Sequence, residues 1–458
     1  MTSTIKDRAP IWRSWGALTA LCASGVVGAH ADDVNGSHRP DHDGMTFTVG
    51  AEVWWEDNPN LSPSGGDGIF AAGVPLSYSL GWSSPTTWLT IDADTGIEFS
   101  EGDTRWYEPD VDVTFGHETA RTRLTATADY ARHDVTSSGY STASDGRADY
   151  TAGTGMVTQA GAKLRFDGGL YGPLTYGVEL SQRVVDFSEP NSATQYDNTT
   201  AQVVGSLGAT LRPGTRVTLD ADYTRFSGDD PDATERHDAT VDVSLYQDID
   251  RVTQARVMVG YADLETRSRV GEDSRSEFPF LLQLRRETKS GLAHLTYSTK
   301  VNTDGAWQTL EMSRNIKTRN GEVSWALGAV RTDVGDLRPI GHLAVETEGP
   351  NDALAFEVRR SFGYALGGEK TITNRATVSY DHQFDDVSGL GLSLNAVALD
   401  GEMSSAAKLA SELVYRRALL DDVTMEAGVR VNVLDAVDAD LAQSNSVFFA
   451  VKKSFQTR

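Results

Sequence analysis

From Thr46 to near its end the chain alternates apolar and polar residues with a period of two, and no other feature constrains its fold as strongly. Phe47, Val49, Ala51, Val53 and Trp55 alternate with Thr48, Gly50 and Glu52, and Val74, Leu76, Tyr78, Leu80 and Trp82 with Ser77, Ser79 and Gly81. Much later Ala239, Val241, Val243 and Leu245 oppose Asp238, Thr240, Asp242 and Ser244. Val423, Met425, Ala427, Val429 and Val431 likewise oppose Thr424, Glu426, Gly428 and Arg430. Successive side chains of a strand point to opposite faces, so each run makes one apolar and one polar face. A soluble sandwich alternates in the same way, so run length has to decide. The runs here extend over roughly a dozen residues, against about 5–6 for soluble strands and about 9–11 for a tilted strand crossing a bilayer.

The connections point the same way. Short links read at Ser83–Pro85, Gly116–Thr119, Arg212–Thr215, Asp248–Arg251 and Gly349–Asp352. Longer ones fall between them at Glu56–Gly68, Val135–Gly153, Asp186–Asn198, Ser227–Arg236, Thr266–Ser276 and Val433–Asn445. Outer-membrane barrels have tight turns on the periplasmic rim and longer loops outside. Trp54, Trp55, Trp82, Trp88, Trp106, Tyr107, Tyr171, Tyr223 and Phe226 gather near strand ends, as an interfacial girdle requires. Val447, Phe449, Val451 and Phe455 share one face of the last run and resemble the assembly signal read by the barrel-assembly machinery, with Gln456-Thr457-Arg458 following it.

The N-terminus reads as a secretory signal over residues 1–31. Lys6, Arg8 and Arg13 supply its basic region, and Ala29-His30-Ala31 its small-x-small cleavage site. Cys22, the only cysteine, lies within it, so the exported chain is expected to hold no disulfide. No later segment is apolar enough for a membrane helix, which leaves strands to do any spanning. The formal charge of −24 excludes nucleic acid as a partner and suits cations or a water-filled cavity of negative potential.

These observations predict an all-β fold: a single transmembrane antiparallel up-and-down barrel of about 22 strands, within a range of roughly 16–24. It would occupy 46–455, after a tail at 32–45 and before a tail at 456–458. Strands about 4.8 Å apart and tilted near 40° give a diameter of roughly 44 Å, too wide for side chains to fill. No plug domain is expected, since only a short run precedes the first strand. On that ground a TonB-dependent receptor, which carries a folded N-terminal plug, is disfavoured. The loop Val135–Gly153 is either an internal constriction or a mobile surface loop.

The polar face then lines the lumen. Asp92, Asp94, Asp220, Asp222, Asp238 and Asp242 are expected to form an acidic wall, the last four with no Lys or Arg interleaved. Asp110 and Asp112 are expected to face Arg121 and Arg123 across a charge ladder. Arg256, Arg285, Glu412, Arg416, Glu426 and Arg430 add inward charge of both signs. His38 and His42, Asp229, Asp230 and Asp232, and Asp435, Asp438 and Asp440 read as solvated tail or loop charge. No spacing for zinc, no calcium loop, no phosphate loop and no nucleophile with a base is present, so neither enzyme chemistry nor a cofactor is expected.

The segment Val49-Gly50-Ala51-Glu52-Val53-Trp54-Trp55-Glu56-Asp57-Asn58-Pro59-Asn60-Leu61 resembles the start of a β-barrel porin family associated with exopolysaccharide export. The resemblance implies an outer-membrane barrel and polysaccharide passage, and supplies no site residues. The leading expectation is a porin-like, cation-preferring channel for ions or small solutes, seated in outer-membrane lipid. The alternatives are a polysaccharide conduit, with Trp54 as a sugar platform, and a structural or adhesive barrel with a closed lumen.

Overall fold

A computed structural model describes residues 43–457 apart from 60, 63, 101–102, 135–140, 143–147, 150–154, 189–195, 303–304, 334, 365–369, 402–404 and 437–440. The expected signal and most of the 32–45 tail therefore lie outside the described residues. The strands begin with β1 (Gly44–Glu56), β2 (Ile69–Ser83), β3 (Thr87–Ser100), β4 (Asp103–Glu118) and β5 (Thr122–Asp134). After them come β6 (Ser141–Thr142), β7 (Ala148–Asp149), β8 (Met156–Gly168), β9 (Leu174–Ser188), β10 (Asn198–Arg212), β11 (Thr215–Gly228) and β12 (Glu235–Asp248). The chain continues through β13 (Thr253–Arg267), β14 (Glu272–Glu277), β15 (Phe280–Thr288), β16 (Gly291–Asn302), β17 (Gly305–Thr318), β18 (Gly321–Thr332) and β19 (Leu337–Glu348). It ends with β20 (Asp352–Tyr364), β21 (Lys370–Asp385), β22 (Ser388–Gly401), β23 (Ser405–Leu420), β24 (Val423–Ala436) and β25 (Ala442–Thr457).

Successive wall strands pair antiparallel, β5 with β8 across β6 and β7, and β1 pairs with β25 from Met45↔Thr457 to Glu56↔Ser446, which closes the sheet. β14 and β15 both pair with β13 and are halves of one wall strand, broken at Phe278-Pro279 where the proline cannot donate to the ladder. β6 and β7 pair with each other. The result is a closed 22-strand antiparallel barrel. Its wall runs from Gly44 to Thr457, slightly beyond the expected 46–455 at both ends.

The apolar register faces outward. Leu310, Leu327, Val259 and Val447 are each more than half exposed on that side, which is the lipid side of a membrane barrel. Trp55, Trp82, Trp106 and Tyr223 stand there as well. Trp54, Trp88 and Phe226, expected in the same girdle, instead belong to the inward register. Trp88 is 2% exposed and lies over Gly116 of the next strand, where an added Cβ would sit 2.0 Å from the ring.

The rim that holds both chain ends carries tight turns at 84–86, 119–121, 213–214, 249–252 and 349–351. The opposite rim has the long connections 57–68, 135–155 and 189–197. Elsewhere on that rim the alternation fails: 101–102, 268–271, 303–304, 333–336 and 402–404 are as short as the turns across the membrane.

Candidate functional site

The inner wall divides into charged sectors, and cross-strand register decides their membership. On β3 and β4 Asp92 pairs directly with Asp112, and Asp94 with Asp110. One strand further, Asp112 pairs with Asp129 of β5. Three carboxylates thus stand in one row across three strands, with a second pair beside them. Ser79 of β2 donates to Asp92 at 2.7 Å. Gly161 of β8 faces Asp129, and its missing Cβ leaves the carboxylate room.

The expected ladder from Asp110 and Asp112 to Arg121 and Arg123 does not form. The turn 119–121 sets the register so that Arg123 faces Glu118, its partner at 3.0 Å, and Arg121 lies in the turn itself. Counting outward from the turn carries Asp112 to Asp129, a residue missing from the sequence-based site although that count would have found it.

A second acidic sector lies on β11 and β12. Asp220 and Asp242 are direct cross-strand partners, while Asp222 faces Thr240 and Asp238 faces Thr224. Hydroxyl and amide donors hold them: Thr218 donates to Asp220 (3.0 Å), and Gln202 (2.5 Å) and Thr224 (3.0 Å) donate to Asp222. Cations flank the sector without interleaving among its carboxylates. Arg216 and Arg236 face inward at its two ends, Arg236 with its guanidinium 4.2 Å from the Phe226 ring centre. Arg256 of β13 is buried beside it, bonded to Ser244 Oγ at 3.2 Å.

Near the closure the inward charges are paired. Arg430 bonds Glu412 at 2.6 Å, lies 3.9 Å from Glu52, and covers the Phe448 ring at 4.2 Å. Glu426 takes Lys452 at 2.8 Å and Arg416 at 3.9 Å, and Arg416 reaches Asp381 at 3.1 Å. A basic sector, missed in the sequence, occupies β19 to β21: Arg338 and His342 face inward, and Arg359 and Arg375 are direct partners. Strands β22 to β25, β1 and β2 separate it from the acidic row on β3 to β5.

Val447, Phe449, Val451 and Phe455 share the outward face of β25. They meet Trp55, Val53, Ala51 and Phe47 of β1, with Phe47 and Phe455 stacked at 6.3 Å. Trp54 faces inward over Gly73 of β2. Among the described residues no group of three His, Cys, Asp or Glu side chains is arranged to hold a metal ion. Asp230 is taken up by its own loop, accepting from the Thr234 N–H and hydroxyl.

No protein-family model matches the chain, and no curated protein matches it in sequence. Solved structures do match in fold. The ferric-catecholate import receptor Fiu from E. coli superposes with a TM-score of 0.58 at 10% identity, covering 91% of this chain and 82% of that one. The FrpB iron transporter from Neisseria meningitidis gives 0.58 at 9% identity, covering 90% and 83%. The copper transporter OprC gives 0.52 at 12% identity, covering 91% and 81%. The fold is therefore that of the outer-membrane transport-receptor barrels.

The comparison corrects three expectations. TonB-dependent receptors are the class whose barrels this wall matches, so setting the chain apart from them for want of a plug was mistaken. The reading as a passive porin-like channel, with polysaccharide export as its alternative, is overturned by the same neighbours, which are receptors and transporters of metals and their chelates. The resemblance to the exopolysaccharide porin family is unsupported. Local demands explain that segment. Trp55 is an outward rim aromatic, and Asp57 and Asn58 tie the first loop to β25 through Asn445 and Gln443.

Proposed function

We propose that the protein imports a small ligand across the outer membrane, with metal ions and metal chelates as the ligand class, and recognises it on the charged inner wall. The observation that carries this reading is the match of the closed 22-strand wall to iron and copper receptor barrels over about nine-tenths of the chain. The sorting of lumen charge into acidic and basic sectors supports it, because a wide water-filled barrel discriminates by wall charge rather than by size. On this reading the row Asp92, Asp112 and Asp129 contacts cationic ligands, and the sector around Arg359 and Arg375 contacts anionic chelates.

Uptake of labelled copper and of a labelled ferric catecholate, by cells with and without the protein, tests this. Saturable uptake of one ligand, abolished when the cells are de-energised, is the expected result. Uptake that rises linearly with concentration for every small solute would overturn it.

A further inference from the structure

The ladder between β19 and β20 stops at Gly341↔Arg360. On their other sides both strands continue. Leu337 to Ile340 stay paired with β18, and Ser361 to Tyr364 stay paired with β21. Among the described residues these two inner edges are not paired with each other, so the outer part of the wall carries a seam. Its cause is local. Pro339 has no N–H to offer, and its carbonyl oxygen accepts from Arg360 Nε at 3.2 Å in place of a ladder bond.

The seam is apolar on both sides. Phe362 packs edge-on against Trp307 at 5.9 Å, and with Val330 and Ile340 the two rings form a cluster in which Trp307 and Val330 are buried. On the lipid side Leu327 and Leu337 are 64% and 70% exposed.

Arginines flank this apolar passage. Arg360 stands on the outward register, bonded to Asn374 Oδ1 at 3.1 Å. Arg359 and Arg375 face each other on the lumen side, and Arg375 Nε is buried without an acceptor. Glu357, next along the inward face of β20, contacts His342 at 3.4 Å. A strand edge unpaired among the described residues, an arginine on the outward register and two arginines directly opposed are each costly in a membrane wall. They coincide at one place in the wall, and an apolar chain with an anionic head would offset all three.

We propose that the β19–β20 seam is a lateral portal for an anionic amphiphile, an apolar chain bearing a carboxylate or phosphate, passing between the lumen and the outer leaflet. The proposal goes beyond the import reading and does not depend on it. To test it, the full chain carrying Cys22→Ser and Ile340→Cys is labelled with bimane, reconstituted, and titrated with three probes. These are 9,10-dibromostearate, the matching dibromo-lysophosphatidate, and the methyl ester of the first.

Saturable quenching by either anion is expected, with the ester and the Arg360→Ala and Arg375→Ala variants about tenfold weaker. Quenching by one anion alone keeps the proposal and names the head group. A label at Leu327→Cys on the lipid side controls for folding and insertion. If that label is quenched while Ile340→Cys is not, the portal is refuted. Equal quenching by anion and ester, unchanged in the arginine variants, removes the anionic recognition and overturns the proposal.

Discussion

Two junctions of this barrel were free to be its weak point, and only one of them is. At the chemical closure, β1 and β25 come from opposite ends of the chain yet pair without a break from Met45 to Glu56. At β19–β20, strands joined by a tight turn at 349–351 separate before their outer ends. Closeness in sequence therefore does not decide where a sheet holds. The closure is held by side chains: Arg430 links β24 to β23 and β1, Glu56 accepts from Ser444, and Asn445 holds Asp57. The seam has a proline where a donor is needed, and its nearest guanidinium serves a backbone carbonyl.

The largest expected effect comes from blocking the closure. An added Cβ on Gly50 would lie 2.8 Å from the Pro75 ring and 3.2 Å from the Val451 carbonyl oxygen. Gly50→Leu should therefore lose the folded, heat-modifiable band in electrophoresis, because β1 cannot sit between β2 and β25. Next, Arg430→Met leaves Glu412 and Glu52 facing each other. A loss of about 1–2 kcal/mol is expected, tempered because the Arg430 side chain is 42% exposed. Denaturant midpoints of the refolded protein would measure it, and an unchanged midpoint would mean that backbone pairing alone holds the closure.

A smaller effect of opposite sign is expected at the seam. Pro339→Thr supplies the missing N–H and should gain about 0.5–1 kcal/mol, with slower amide exchange at 361–364. If exchange there does not slow, proline is not what keeps the strands apart.

The smallest effect is a pH dependence at the outer rim. The side-chain amide and backbone N–H of Asn445 hold the Asp57 carboxyl below the usual carboxylate range. A group lowered in this way stabilises the folded form above its ordinary pKa, and that contribution fades as pH falls through the lowered value. Proteolysis of the loop 57–68 should stay slow down to the ordinary carboxylate range and quicken only below it. Asp57→Asn should remove the dependence.

Periodicity and run length in the sequence determined the barrel, its strand number near 22 and the outward face, because lipid demands one apolar face along every spanning strand. Turn chemistry located the tight rim at 84–86, 119–121 and 213–214 to within a few residues. The charged sectors followed only from register. Asp112 is near Arg123 in sequence but lies opposite Asp129 and Asp92, because a hairpin pairs residues equidistant from its turn. The same holds for Arg359 and Arg375, which belong to different strands and become partners only once β20 and β21 are aligned.

The likeness to the receptor barrels was not legible either, since at about one-tenth identity it lives in the wall's geometry and in no motif. Pro339 was visible in the sequence all along as a residue without a donor. Only the tertiary structure decided that its carbonyl points toward β20, so that the missing hydrogen bond opens the wall there rather than at an edge that could spare it.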